Sequence, residues 1–394
     1  MWYKTKSLYE TTHHSNHTVV KMIGKSWTAI QHNIQIGFAI ISFTLNSTLI
    51  LLILRHSPKS LGLYKYLMIY ISAFEFLYSL MDIIVKPSSL LNFLVLTPYF
   101  CKIFLLTHVP QIFHSYGSTF LVMVNVKESP FSLNVALFLA AVYCGFFGAS
   151  MAIFGLHFIY RYLVASGSKH LEKFNISKTS FFLLAPVVYG ILWGWVAYCP
   201  VGQNPATGEH IRSNILETFD LQVEDTVYIG PYFYQKQPNG TYEIDMQSII
   251  GMSVVYLIVS SSFFTIFYFG IKCYRCISKL VPSNDSYRTK QLQSHLFWAL
   301  VTQTMIPVIL MHTPVTLVYA FALLDQDIGM LSGFVSMTIA AYPALDPLPS
   351  LFIIPCFRRA LKNYLTCCPK PNERAQDSTV TAPRTGSIMS IANA

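Results

Sequence analysis

The sequence contains few charged residues. Asp, Glu, Lys and Arg make up 11% of its 394 residues and hydrophobic residues make up 53%, whereas a soluble domain carries about 25% charged residues. This composition excludes an ordinary soluble domain, because so little charge cannot cover a surface that faces water. We therefore expect the protein to be surrounded mainly by lipid.

The motifs of common catalytic and cofactor sites are also missing. The sequence has no histidine cluster with metal-ligand spacing, no glycine-rich phosphate loop and no nucleophile elbow. These absences predict a protein that is not an enzyme and that holds no cofactor and no metal. Residues 1–31 contain no long apolar run, so we expect no cleavable signal peptide, and the first membrane span is predicted to direct insertion.

Long apolar stretches are what the sequence does contain. A hydrocarbon core of about 30 Å needs about 20 apolar residues at a rise of about 1.5 Å each. Seven stretches meet this requirement, at residues 34–54, 66–85, 133–160, 181–201, 249–271, 296–320 and 330–354. They lack the alternation of a barrel strand, so their backbones must pair within helices. The sequence thus predicts an all-α membrane protein, a seven-transmembrane helix bundle.

The basic residues predict the orientation of this bundle. With the N-terminus outside, about two thirds of the 27 Lys and Arg residues lie in cytoplasmic segments, as the positive-inside rule requires. Residues 1–33 are then extracellular, residues 34–355 form the membrane domain, and residues 356–394 form a cytoplasmic tail that begins with a short amphipathic helix. The net charge of +9 indicates a preference for the inner leaflet and no nucleic-acid binding.

Several residues are candidates for covalent modification in this orientation. Asn16 and Asn239 are sequons outside the membrane and are predicted glycosylation sites. Cys101 and Cys199 lie on or near the oxidising face, and only geometry decides whether they form a disulfide. Cys367 and Cys368 follow a short basic stretch and are candidates for palmitoylation, the alternative being two unmodified thiols.

A second apolar run, at residues 90–106, separates spans two and three. We predict that it is interfacial or re-entrant, because an eighth crossing would invert every later segment and remove the charge asymmetry.

Three polar residues lie at one depth in different spans. Counted from the predicted cytoplasmic ends, Asn46, Glu75 and Asp346 all lie about 12 to 14 Å into the membrane. Polar groups in lipid face the bundle interior and pair, so we predict a cluster that joins spans one, two and seven. Two adjacent carboxylates do not both ionise easily, so one is expected to carry a proton or a small cation to lie between them.

The cluster is predicted to act as a conformational switch. Pro347, next to Asp346, removes a helix donor, so span seven is expected to bend at this point. The alternative is that the three polar groups only hold the helices together.

Four motifs resemble a known family. They are residues 46–52 (NSTLILL), residues 61–70 (LGLYKYLMIY), the triplet Tyr160-Arg161-Tyr162, and residues 342–349 (YPALDPLP). Together they resemble the nematode seven-transmembrane serpentine chemoreceptors of the Str class, over about residues 34–364. Residues 88–109 are an extra stretch relative to that pattern, and Ser350 replaces the tyrosine of the broader rhodopsin-like motif.

The resemblance implies a G-protein-coupled receptor for a small odorant or soluble chemical, in the plasma membrane of sensory cilia. It implies that Tyr160, Arg161 and Tyr162 engage a heterotrimeric G protein, and that Asp346 and Pro347 form a hinge. From the residues alone, an arginine at a helix end can equally extend into the lipid headgroups.

A ligand cavity is expected in the outer half of the bundle. Its candidate lining residues, chosen by depth, are Asp82, His114, Tyr143, Tyr256 and His312. The alternatives are an ion pair between Asp82 and Lys86, four residues later, and plain packing for the aromatic residues. The rival function is a secondary transporter, since intramembrane carboxylates also carry protons, but the sequence shows no internal repeat or paired broken helices.

Overall fold

The computed structural model describes residues 2–58, 61–83, 111–127, 129, 131–167, 176–237, 239–279 and 284–366; within these ranges, the side chains of residues 2–21, 23, 25, 82–83, 176–181 and 284–289 are not described. The elements along the chain are α1 (Trp2–His56), α2 (Tyr64–Ile83), β1 (Gln111–Tyr116), β2 (Thr119–Asn125), α3 (Leu133–Ala165), α4 (Ile176–Tyr198), α5 (Pro205–Phe219), β3 (Thr226–Ile229), β4 (Tyr234–Lys236), β5 (Tyr242–Ile244), α6 (Met246–Lys279), α7 (Asn284–Pro307), α8 (Thr313–Leu323), α9 (Phe334–Leu345), α10 (Pro347–Ile353) and α11 (Pro355–Leu365).

Each of the seven predicted spans overlaps one helix or consecutive helices of the described residues. Within the described residues, four helical stretches are long and apolar enough to cross a membrane, namely Ser26–His56, Leu133–Ala165, Met246–Lys279 and Lys290–Leu323. Gly329–Ile353 and Pro355–Leu365 together would form a fifth, bent by 98° at its break, and Phe182–Tyr198 is apolar but shorter. The positions at which the membrane begins and ends stay predictions.

Two helices at the centre of the bundle approach each other closely through glycines. A side-chain carbon added to Gly145 of α3 would lie 2.7 Å from the carbonyl oxygen of Gly190 of α4. Small residues permit this contact in a membrane, where association depends on close packing rather than on the hydrophobic effect. The core beside it is aromatic: Phe147 packs on Trp193 with ring centroids 5.4 Å apart.

A sheet covers one end of the bundle, which we call the sheet end. Strands β1 and β2 form a hairpin through Gly117, whose φ of 52° suits a two-residue turn, and β2 pairs with β3 in antiparallel register, Val122 opposite Ile229. Every residue of β2 and β3 is buried. These strands are not predicted from the sequence, because pairing with β3 joins segments about a hundred residues apart.

The two faces of this sheet contact different layers. Phe113 and Phe120 belong to the core of the bundle, and the Phe120 ring lies 5.0 Å from Tyr319 of α8. Ile112 and Leu121 face the opposite way, toward helix α5. The sheet is therefore a layer between the bundle and α5, as the alternation of side chains along a strand requires.

Helix α11 runs across the other end of the bundle, which we call the Arg161 end. Phe357 and Ala360 are buried against the bundle, while Arg358 and Arg359 are exposed. A helix with one buried and one basic face is the short amphipathic helix that the sequence predicts after span seven.

Candidate functional site

The break in span seven frees a backbone acceptor in the middle of the bundle. Helix α9 ends at Leu345 and α10 begins at Pro347, which has no N–H to donate to the carbonyl of Pro343, four residues earlier. Ser42 Oγ and Asn46 Nδ2 of α1 each donate to that carbonyl oxygen over 3.0 Å. The prolines of span seven thus create the acceptor that attaches it to α1.

The two carboxyl groups of the predicted cluster meet beside this break. Glu75 of α2 and Asp346 are 1% and 0% exposed, and their side chains are in hydrogen-bonding contact. The Tyr342 hydroxyl donates to Glu75 Oε1 over 3.5 Å. Ionised carboxylates only accept hydrogen bonds, so a contact between two of them requires a proton or a cation between them. The structure brings Asn46, Glu75 and Asp346 together; their role as a switch stays a prediction.

Span six joins the same cluster through a residue that the sequence analysis missed. Gln303 of α7 donates through Nε2 to the backbone oxygen and to Oδ2 of Asp346, both at 3.0 Å. Ser350 Oγ donates to Gln303 Oε1 over 3.2 Å, so the serine that departs from the rhodopsin-like pattern has a partner of its own. The sequence does contain a signal for this contact, because Gln303 places an amide side chain inside an apolar span, one turn before Pro307.

Arg161 lies inside the bundle, 1% exposed, rather than extending into the headgroups. Its Nη2 donates to the carbonyl of Gln293 in α7 over 3.0 Å, and its guanidinium lies 5.0 Å from the ring centre of Tyr64. Tyr160 stacks on the same ring at 5.8 Å, while Tyr162 faces Phe269 of α6 at 5.6 Å. No carboxylate of the described residues forms an ion pair with Arg161. A cation–π contact and a carbonyl of α7, just before the predicted start of span six, therefore hold it.

The sequence matches the family of serpentine-type 7TM GPCR chemoreceptors, Str, over residues 31–97 and 90–362. The chain belongs to this family. It is 34% identical to G-protein coupled receptor str-217 of Caenorhabditis elegans over 84% of this chain and 87% of the relative. It is 28% identical to Serpentine receptor class r-10 of the same species, over 91% and 97% of the two chains.

The fold of this Str-family receptor is shared with a solved structure. Squid rhodopsin superposes with a TM-score of 0.55 over 91% of this chain and 93% of the other, at 13% identity. At so low an identity the similarity concerns only the fold. The superposition confirms the seven-helix architecture. The two family segments overlap at residues 90–97, within the extra stretch at residues 88–109. Both this stretch and the apolar run at residues 90–106 lie outside the described residues.

The predicted ligand-contacting residues of the receptor whose side chains are described do not all lie inside the bundle. Tyr143 and His312 are buried inside the bundle; His312 lies in a π-helical turn, Val308–His312, with its ring 4.7 Å from Phe147 and 6.0 Å from Phe263. Its Nε2 atom has no hydrogen-bond partner among the described residues.

Two of the other predictions need correction. Tyr256 is 72% exposed on the outside of α6, so it does not line an internal cavity; depth along a helix says nothing about which face a residue occupies. His114 faces α5, not the bundle, and contacts Asn214 at 2.6 Å. The side chain of Asp82 and the whole of Lys86 lie outside the described residues.

The predicted modification sites are only partly described. Cys199 is an exposed free thiol; Cys101, Cys367 and Cys368 lie outside the described residues, as does the side chain of Asn16. Asn239 is exposed, and its Oδ1 accepts from the Thr241 backbone N–H at 3.0 Å. The disulfide, the glycans and the palmitoylation all stay predictions.

The contact between β1 and α5 is expected to weaken in acid. Burial lowers the pKa of His114 from its ordinary value of 6.5, against the smaller effects of Asn214 and the Asp327 carboxylate, and its Nδ1 has no acceptor among the described residues. Because this pKa is lowered in the folded state, the His114 imidazole takes up a proton below pH 6.5 when the contact between β1 and α5 opens. The stability of the contact is therefore full above pH 6.5 and falls as the pH decreases toward the folded-state pKa. Corrected amide exchange in α5 should accelerate by up to about fivefold between pH 6.5 and 5.5. His114→Gln should remove this pH dependence, and an unchanged pH profile in that variant would contradict the assignment.

Proposed function

We propose that this Str-family receptor, with its N-terminus outside, binds a small environmental chemical inside the bundle and activates a heterotrimeric G protein at the Arg161 end. The observation that carries the proposal is the position of Arg161. It is buried at the bundle end where the predicted cytoplasmic segments lie, and it is attached to span six through Gln293. A movement of span six would therefore release Arg161, whose neighbours in the family's triplet, Tyr160 and Tyr162, contact helices α2 and α6.

The central cluster supplies a connection between the two ends. Gln303 joins span six to Asp346, and Asp346 lies at the break of span seven, where Glu75 and Asn46 bind from spans two and one. Hydrogen-bonded groups at a helix break can exchange partners without unpacking the core. A ligand that prefers the open arrangement of spans six and seven would then shift the population toward it.

The ligand site that we propose is the surroundings of His312. This side chain combines one unpartnered buried nitrogen with neighbouring aromatic rings, and π-helical turns are frequent at functional sites. Apolar surroundings with a single polar group suit a small, mostly apolar molecule with one hydrogen-bonding group. Tyr143, whose ring lies 5.3 Å from Tyr78, would contribute to the wall. Expression in the plasma membrane of sensory cilia is part of the same proposal.

The test separates reception from transport. The receptor is expressed in membranes with a heterotrimeric G protein, and guanine-nucleotide exchange is measured against an odorant panel. A hit should stimulate exchange, and His312→Leu, which keeps a similar volume without the polar group, should raise the half-maximal concentration about tenfold, as expected for one hydrogen bond of about 1 kcal/mol or more. Ligand-dependent uptake without nucleotide exchange would favour the transporter.

A further inference from the structure

A narrow groove lies between helices α1 and α11 at the Arg161 end. It has a volume of about 220 Å³ and is lined by Thr48, Leu51, Leu52, Arg55, Leu361 and Tyr364. The four α1 residues recur at a spacing of three and four, which places them on one face of the helix. They extend for about 10 Å along it at helical rise. The groove thus has the shape of a channel along the bundle rather than of a closed pocket.

The walls of the groove are apolar and one end is charged. The hydroxyl of Thr48 is already used, since it donates to the carbonyl of Thr44 at 2.7 Å, which leaves its methyl group for the wall. Leu51 and Tyr364 are 51% and 56% exposed. Arg55 is the cation of the groove, and within the described ranges it forms no ion pair. The groove therefore offers an apolar channel that ends at an unpaired guanidinium.

The position of the groove matches the level of the lipid headgroups. Helix α11 leaves span seven at a bend of 98° and so lies across the end of the bundle, where a membrane ends. Its exposed Arg358 and Arg359 add positive potential at this level, and each basic residue near a membrane surface attracts anionic lipid by about 1 kcal/mol.

We propose that this groove binds an anionic phospholipid, with one acyl chain between α1 and α11 and the phosphate paired to Arg55. The volume is below the range of about 300 to 1,000 Å³ for a pocket that encloses a small molecule, but a channel needs to hold only part of a chain. Guanidinium groups bind phosphate oxygens in a two-pronged geometry. The site is independent of the ligand proposed at His312.

A competing occupant is an acyl chain attached to Cys367 or Cys368, just beyond the last described residue, Thr366. An acyl thioester carries no charge, so it would leave Arg55 without a partner. The charge at the end of the groove therefore favours a lipid with an anionic headgroup over the protein's own modification.

The test uses the full-length receptor in nanodiscs made from equal parts of phosphatidylglycerol and phosphatidylcholine. After gentle extraction, native mass spectrometry measures which lipid stays bound. We expect selective retention of phosphatidylglycerol, and we expect Arg55→Gln to lower the ratio of retained phosphatidylglycerol to phosphatidylcholine about tenfold. Arg55→Lys should restore part of the selectivity because it keeps the charge.

Matched variants distinguish the alternatives. Arg275→Gln removes an exposed arginine from α6 at the same end of the bundle, outside the groove, and should leave the ratio unchanged. An equal loss in this control would mean general attraction to the membrane surface and would overturn the proposal. Equal retention of both lipids by the wild type would overturn it too. So would a gain of phosphatidylglycerol binding when Cys367 and Cys368 are both replaced by serine, because the groove would then have held their acyl chain.

Discussion

Replacing Arg161 with alanine is expected to abolish ligand-driven nucleotide exchange while leaving delivery to the cell surface near the wild-type level. The side chain makes its contacts at one end of the bundle, with the Gln293 carbonyl and the Tyr64 ring, so its loss should not disturb the central cluster. Surface labelling and nucleotide exchange, measured on the same cells, check the two parts of this expectation.

Two variants serve as controls for Arg161. Arg275→Ala removes an exposed arginine from the same end of the bundle and should signal normally. Tyr64→Leu removes the ring that holds Arg161; a cation–π contact is worth about 0.5 to 2 kcal/mol, so the basal rate of exchange should rise between about twofold and thirtyfold. Wild-type-like signalling by the Arg161→Ala receptor would refute the role of the triplet.

Replacing Asp346 with alanine is expected to destabilise the receptor and to weaken the connection between span six and span seven. The change removes one hydrogen-bond partner from the buried Glu75 carboxyl, which keeps the Tyr342 hydroxyl, and one from the Gln303 amide, which keeps the backbone oxygen of residue 346. Each hydrogen bond lost from a buried group costs about 1 kcal/mol. The thermal midpoint of the purified receptor should fall measurably, and ligand-driven exchange should be lost even at temperatures where the variant stays folded.

The conservative variant tests how the two carboxyl groups share their site. Asp346→Asn keeps an oxygen to accept from Gln303 and gains a donor toward Glu75, so it should retain most of the thermal stability. A shared proton also predicts that the wild-type midpoint does not depend on sodium concentration. If sodium raises the midpoint of the wild type and not of Asp346→Asn, a cation rather than a proton lies between the carboxyl groups.

The family and the central cluster could be predicted because they depend on local properties of the chain. The motifs are contiguous, and the depth of Asn46, Glu75 and Asp346 follows from counting residues at a constant helical rise. The same counting failed for Tyr256, which has a suitable depth but lies on the outside of α6. In a membrane both the lipid-facing and the core-facing sides of a helix are apolar, so the sequence carries little information about the rotation of each span.

The sequence by itself determined that this chain is a Str-family membrane receptor, and it predicted one common level for Asn46, Glu75 and Asp346, because hydropathy, helical rise and contiguous motifs follow directly from the order of the residues. Only the tertiary structure decided that Gln303 binds Asp346, that Tyr64 lies against Arg161, and that β1, β2 and β3 cover the bundle. These contacts join segments far apart in the chain, and they depend on how the proline-broken helices rotate and pack.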